Sequence, residues 1–140
     1  MDYEKLEHVG DSILGMVVTT WLHELKPRLT CGRASVSCSG LMSEEKKLML
    51  QKLKSHLVSN ATLSHISGLY NLPARLVGPP NLLPVLKAQT DVRAAMVEAY
   101  IAAIYFSYPV EKRMTEGLKV IDEWLRDMYE PLYDFFLNHM

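Results

Sequence analysis

Residues 4–14 read Glu-Lys-Leu-Glu-His-Val-Gly-Asp-Ser-Ile-Leu, and this stretch decides how the rest of the chain is interpreted. On a helix, Glu4, Glu7 and Asp11 occupy positions i, i+3 and i+7, so their carboxylates stack along one face. No basic residue lies on that stripe to offset the repulsion between them. Such a stripe fits a cation site, a site of proton transfer, or a solvated surface. Because apolar residues border the acids, we expect the stripe to lie at the edge of a buried face.

The composition predicts one folded domain. The chain has 140 residues, 49% of them hydrophobic, and a net charge of −1. This length and hydrophobic content are enough for a core of its own. A protein that holds nucleic acid by phosphate contacts alone is usually more basic, so RNA binding would depend on local clusters and bound metal. Two lysine and arginine clusters are candidates, and each also fits an ordinary solvated surface: Lys26, Arg28 and Arg33, and Lys46, Lys47, Lys52 and Lys54.

The cysteines and the apolar runs bear on the redox environment of the protein and on whether it contacts a membrane. Cys31 and Cys38 lack the spacing of a zinc site, and we expect them to be reduced thiols in an intracellular protein whose compartment the sequence leaves open. No apolar run is long enough to span a bilayer and no signal peptide is visible. We therefore expect no membrane partner.

The hydrophobic pattern is helical almost throughout and predicts an all-α fold. The expected helices are Tyr3–Leu25 (stopped by Pro27), a second from Glu44 that runs or bends to about Gly68 (with Ser43 as N-cap), Asp91–Phe106 (capped by Thr90), and about Glu111–Tyr129 with a further turn after Pro131. Residues 28–41 and 71–89 are expected to be loops, the second with at most a short helix.

The first stretch resembles the signature helix of the ribonuclease III family, which reads E-R-L-E-F-L-G-D-S-V-L. The identical positions are Glu4, Leu6, Glu7, Gly10, Asp11, Ser12 and Leu14. His8 stands where the family carries an aromatic residue. Residues 57–63, Leu-Val-Ser-Asn-Ala-Thr-Leu, resemble the family's third helix and are most similar to fungal members.

Residues 92–105 are similar to the family's second motif, A-D-x-x-E-A-x-x-G-A-x-Y. The matching positions are Ala94, Glu98, Ala99, Ala103 and Tyr105. One departure bears on chemistry, because Ala95 stands where the family carries an acid. Cys31 stands where we place a further family acid.

The resemblance implies a fold and an activity. The fold is an all-α ribonuclease III-type helical domain over residues 1–140, truncated at its N-terminus relative to the family and without a double-stranded-RNA-binding domain. The activity is hydrolysis of phosphodiester bonds in double-stranded RNA, by a homodimer that leaves staggered duplex products. Mg²⁺ would be the cofactor, with Mn²⁺ as a substitute. Glu7, Asp11 and Glu98 would be metal ligands, Ala95 marks a missing fourth ligand, and Glu4 would lie at the edge of the catalytic site.

Ala95 leaves the activity of this chain open. It could be an engineered replacement of an acid, a natural loss in an inactive member, or a position whose role Asp91 takes through a water molecule. The last requires Asp91 to act across one helical turn, about 5.4 Å, which is too far for a direct bond. The sequence thus supports two functions: a weakened endoribonuclease, and a non-catalytic RNA-binding or scaffold module that keeps the fold and the dimer.

Overall fold

The protein is described by a computed structural model that covers residues 3–25, 44–76 and 78–138. Within these ranges it contains helices and no strand, which confirms the predicted all-α fold. The elements, in chain order, are α1 (Tyr3–Glu24), α2 (Glu44–Leu57), α3 (Asn60–Leu69), a 3₁₀ turn (Leu72–Arg75), α4 (Leu83–Ala88), α5 (Thr90–Ser107), α6 (Val110–Lys112), a π-helical turn (Arg113–Gly117) and α7 (Leu118–Asn138). None of the described helices is long and apolar enough to cross a membrane.

Helix α5 lies at the centre of the fold and makes its largest interfaces with α1 and α3. Five of its residues are alanines, whose small side chains let neighbouring helices approach closely. The core between these helices, α2 and α7 is filled by residues that are almost completely buried, among them Val18, Leu22, Leu53, Leu57, Ile66, Val97, Ile101, Ile121 and Leu125.

The second predicted helix is two helices, because Ser59 starts a new one. Its backbone is extended (φ −64°, ψ 153°), and its side chain accepts a hydrogen bond from the backbone N–H of Thr62. This is an N-cap, which satisfies one of the free donors at a helix start. The chain therefore turns between Leu57 and Asn60, within the segment where the sequence allowed a bend. The predicted cap Ser43 and the stop at Pro27 lie outside the described residues.

Two predicted helix ends are wrong. Thr90 does not cap α5: it is the first helical residue, and Gln89 occupies the cap position without a side-chain hydrogen bond. Helix α7 does not end near Tyr129 but continues through Pro131 to Asn138. Tyr129 and Tyr133, four residues apart on one face, are both fully buried, and their packing holds the helix together across the hydrogen bond that Pro131 cannot make.

Tyr129 also connects α7 with α1 and with the end of α2. Its hydroxyl donates a hydrogen bond to the backbone carbonyl of Leu57, at 2.9 Å, and its ring packs against Trp21 with centroids 6.2 Å apart. Burial and the charge of Glu98 raise the pKa of the Tyr129 phenol. These contacts hold α7 against α1, the helix that carries the acidic stripe, and against α2.

Candidate active site

The acidic stripe of α1 meets α5 where the two helices cross at Gly10. A Cβ atom placed on Gly10 would lie 1.7 Å from the backbone carbonyl oxygen of Glu98 and 2.4 Å from its carbonyl carbon. No side chain fits in that space, so the close approach depends on glycine. Because Glu7 and Asp11 are three residues before and one after Gly10, the crossing brings them next to Glu98.

Glu98 is a buried acid among other acids. Only 8% of its surface is exposed. Its pKa is raised to about 8, first by burial, then by a hydrogen bond with Asp11, and then by the charges of Asp11 and Glu7. At neutral pH, burial and the neighbouring carboxylates therefore favour the protonated form of Glu98. Asp11 and Glu7 are the acids whose influence on Glu98 the structure records, and the role of all three in catalysis stays a prediction.

Glu4, the fourth predicted acid, has a different position. It is exposed in the first turn of α1, and it is not among the groups whose charge raises the pKa of Glu98. Its expected place at the edge of the site stays a prediction. Asp11 is also exposed, whereas Glu7 is half-buried.

Ala95 precedes Glu98 by three residues in α5 and is 9% exposed. Residues three apart on a helix are neighbours on its surface, so the methyl group of Ala95 lies beside the Glu98 carboxyl and offers no ligand atom. Asp91, four residues further back, is exposed in the first turn of α5. A first-turn acid there is favoured by the helix dipole without any metal.

The described residues contain no group of three or more His, Cys, Asp and Glu side chains arranged closely enough to hold a metal ion. The ligand set Glu7, Asp11 and Glu98 therefore stays a prediction. The donor chemistry nevertheless fits a hard divalent cation, because carboxylate oxygens are its preferred ligands. Burial and the neighbouring Asp11 and Glu7 raise the pKa of Glu98.

Sequence reasoning missed an apolar cavity beside α1. It has a volume of about 700 Å³ and is lined by α1, the end of α5, and the segment 110–118, including His8, Met16, Phe106, Val110, Arg113 and Met114. Three of its apolar side chains are more than half exposed: Met16, Val110 and Met114. The pattern gave no signal for this cavity, since an apolar residue on a helix is ordinarily read as core.

The sequence model of the ribonuclease III domain matches residues 4–109. This range covers α1 to α5 and both halves of the acidic site. The chain belongs to the ribonuclease III family.

Named relatives agree with this assignment. The chain is 33% identical to Ribonuclease 3 of Zymomonas mobilis over 118 residues, which are 79% of this chain and 39% of the relative. It is 27% identical to Ribonuclease 3 of Tropheryma whipplei over 128 residues, 91% of this chain and 50% of that protein. The chain thus spans half or less of the length of these ribonuclease III relatives.

Proposed function

We propose that this ribonuclease III domain hydrolyses phosphodiester bonds in double-stranded RNA with a divalent cation, and that Ala95 weakens this activity. One observation supports the proposal: the backbone of Glu98 lies against α1 at Gly10, and burial together with Asp11 and Glu7 raises the pKa of the Glu98 carboxyl. Family membership supports the reaction, since relatives that match 79% and 91% of this chain are named Ribonuclease 3.

Glu7, Asp11 and Glu98 would hold Mg²⁺, with Mn²⁺ as a substitute. When bound, the cation would supply an activated water and charge neutralisation at the phosphate. The chain's own contribution is positional: α1 presents Asp11 to solvent, and α5 presents Glu98 from a buried position. Glu98 has to release its proton to become a ligand, and its raised pKa makes this step unfavourable at neutral pH.

Ala95 explains why we expect the activity to be weakened. A site with three carboxylates instead of four binds a divalent cation less tightly and fixes its geometry less well. The buried methyl group of Ala95 also carries no charge, so α5 contributes one carboxylate to the site instead of two. We expect strongly reduced cleavage with duplex binding largely retained.

The second candidate function is a non-catalytic scaffold that binds RNA and pairs with another chain. Ala95 is the observation that favours it. The interaction of Glu98 with Asp11 favours the enzyme, because a domain without catalytic constraint has no reason to keep a costly buried acid beside other acids.

We also propose that the protein is a homodimer. The apolar cavity beside His8 and Met16 supports this, because large exposed apolar patches commonly mark protein interfaces. A twofold pairing through α1 would set two acidic sites side by side, so that each strand of a duplex meets one of them. His8 is smaller and more polar than the family's aromatic residue. The contact that this position makes with a second copy would therefore differ from that of other family members.

The test is cleavage of a long labelled RNA duplex in Mg²⁺ and in Mn²⁺ by the unaltered protein and by Ala95→Asp. We expect Ala95→Asp to cut about ten to a hundred times faster, the order by which altering the groups that support a ligand changes metal affinity or activity, and to leave short staggered duplexes. Ala95→Asp combined with Glu98→Gln is the matched control and should cut no faster than the unaltered protein.

Each alternative has its own result. If neither protein cuts and both retard the duplex on a gel, the scaffold function is correct. If the unaltered protein already cuts as fast as Ala95→Asp, Ala95 does not weaken the site. Circular dichroism of both proteins establishes that the added carboxylate leaves the fold intact.

A further inference from the structure

Two clefts form one continuous groove along α1, starting at the acidic site. The first has a volume of about 450 Å³ and extends from Asp11 and Ser12 past Gly15 to Thr19 and Lys54. The second has a volume of about 240 Å³ and lies between His23 of α1 and Lys47, Gln51 and Lys54 of α2. The clefts share Thr19 and Lys54, and we call the combined feature the lysine groove.

The lysine groove is long enough for several nucleotides. Asp11 and His23 are twelve residues apart on one helix, and at 1.5 Å per residue this corresponds to about 18 Å. The groove is open at Gly15, where a Cβ atom would meet nothing within 4 Å. An extended strand can therefore lie along α1 with one end at the acids.

The chemistry of the groove changes along its length. The acids stand at one end, the hydroxyl groups of Ser12, Thr19 and Thr20 line the middle, and the lysines stand at the other end. Hydroxyl and ammonium groups are the side chains that contact phosphate oxygens in nucleic-acid complexes. The acidic end would instead repel a phosphate unless a cation lies between them.

The lysines of the groove are available for such contacts. Lys54 is half-buried and makes no ion pair with any other residue in the described ranges. Lys47 pairs with Glu44 at 3.4 Å, but both side chains are at least half exposed, and an exposed pair of this kind contributes little to stability. A phosphate can replace Glu44 as the partner of Lys47 at small cost.

The four lysines of α2, which the sequence groups as one basic cluster, have different positions in the fold. Lys47 and Lys54 are seven residues apart, so they share a face of α2, and both line the groove. Lys52 is exposed but lies outside both clefts, and Lys46 is buried. Charge alone cannot explain a difference between Lys54 and Lys52, which makes Lys52 a matched control.

We infer that the lysine groove holds the phosphate backbone of one strand of an RNA duplex, with Lys47 and Lys54 as positioning residues and the scissile phosphate at the Asp11 end. This rests on the proposed function and adds the path of the substrate and the direction in which it leaves the acids. Because the contacts are with phosphate, they carry no sequence preference.

The experiment measures binding of a short labelled RNA duplex over a series of KCl concentrations, without divalent cation. We expect Lys54→Gln to weaken binding several-fold and to reduce the slope of log K against log salt by about one, and Lys47→Gln combined with Lys54→Gln to reduce it by about two. Lys54→Arg keeps the charge and should retain most of the affinity. Lys52→Gln should change neither quantity by as much.

Cleavage supplies an independent readout. In the Ala95→Asp background we expect Lys54→Gln to raise KM more than it lowers kcat, because the residue holds the strand and does not touch the reacting atoms. If Lys52→Gln and Lys54→Gln have the same effect on the salt slope, the lysine groove is not the binding path, although duplex binding would still support the proposed function. If the unaltered protein binds the duplex neither without divalent cation nor in Mg²⁺, both proposals are overturned.

Discussion

At the scale of single residues, Glu98 best connects structure with chemistry. A carboxyl group that is 8% exposed and surrounded by acids costs free energy when it ionises. The pKa of about 8 is the measure of that cost. A catalytic site can keep such an acid because a bound cation would reverse the balance and favour the ionised form.

The raised pKa of Glu98 predicts how stability changes with pH. The ordinary pKa is 4.5 and the folded value about 8, so between these values the folded protein binds more protons than the unfolded chain. The contribution of Glu98 to the free energy of unfolding is therefore fully present below about pH 4.5, and it is lost as the pH rises through about 8. We expect Glu98→Gln, which cannot ionise, to flatten this decrease.

The measurement is the midpoint of urea unfolding at pH 5 and at pH 8 without divalent cation. Glu123→Gln, at an exposed position of α7, is the control and should leave the difference between the two pH values unchanged. An equally large decrease in stability in Glu98→Gln would show that Glu98 is not the group responsible.

At the scale of elements, the crossing of α1 and α5 determines the site. The two helices approach closely at Gly10 because glycine has no side chain, and this crossing sets the position of Glu98 relative to the α1 acids. Two glycines of α1 allow a clean comparison: Gly10 lies against α5, whereas nothing lies within 4 Å of a Cβ atom on Gly15.

We expect Gly10→Ala to destabilise the protein by about 3 kcal/mol, at the upper end of the usual cost of overpacking, because the obstructing atoms belong to backbone and cannot rotate away. Gly15→Ala should instead stabilise it by about 0.5–1 kcal/mol, since alanine is the better helix former. Urea unfolding of both variants tests this. Similar effects from both would mean that the helices do not cross closely at Gly10.

At the scale of the whole molecule, two surface features of different character adjoin along α1. The apolar cavity includes Val110 and Met114, and the lysine groove includes Lys54. Both features are lined by Ser12 and Met16, so a partner that covers the cavity would lie directly beside the acidic end of the groove. In the proposed dimer, the second copy would therefore border the proposed RNA path.

We expect Met114→Glu to convert the proposed dimer into a monomer. Met114 is 70% exposed at the apolar cavity, so the monomer should stay folded, while a charge buried at an interface weakens association strongly. Sedimentation velocity over a range of concentrations measures this. Val120→Glu, at an exposed apolar position of α7 outside the cavity, should leave the dimer intact, and a Met114→Glu protein that is still dimeric would exclude this face.

The sequence predicted the helices well where their pattern is strong and poorly where tertiary packing competes with local preference. The start of α1 and the extent of α5 followed from apolar spacing and from Pro109. The end of α7 did not, because Pro131 indicates a stop locally, and only the buried rings of Tyr129 and Tyr133 keep the helix continuous.

The sequence by itself determined the family, the fold class and the candidate acids, because these depend on residue types at fixed spacing within one helix. The tertiary structure decided which acids lie near Glu98, which lysines line the groove along α1, and where the apolar cavity opens. These properties depend on contacts between residues far apart in the chain, such as Gly10 with Glu98, and one-dimensional periodicity carries no information about them.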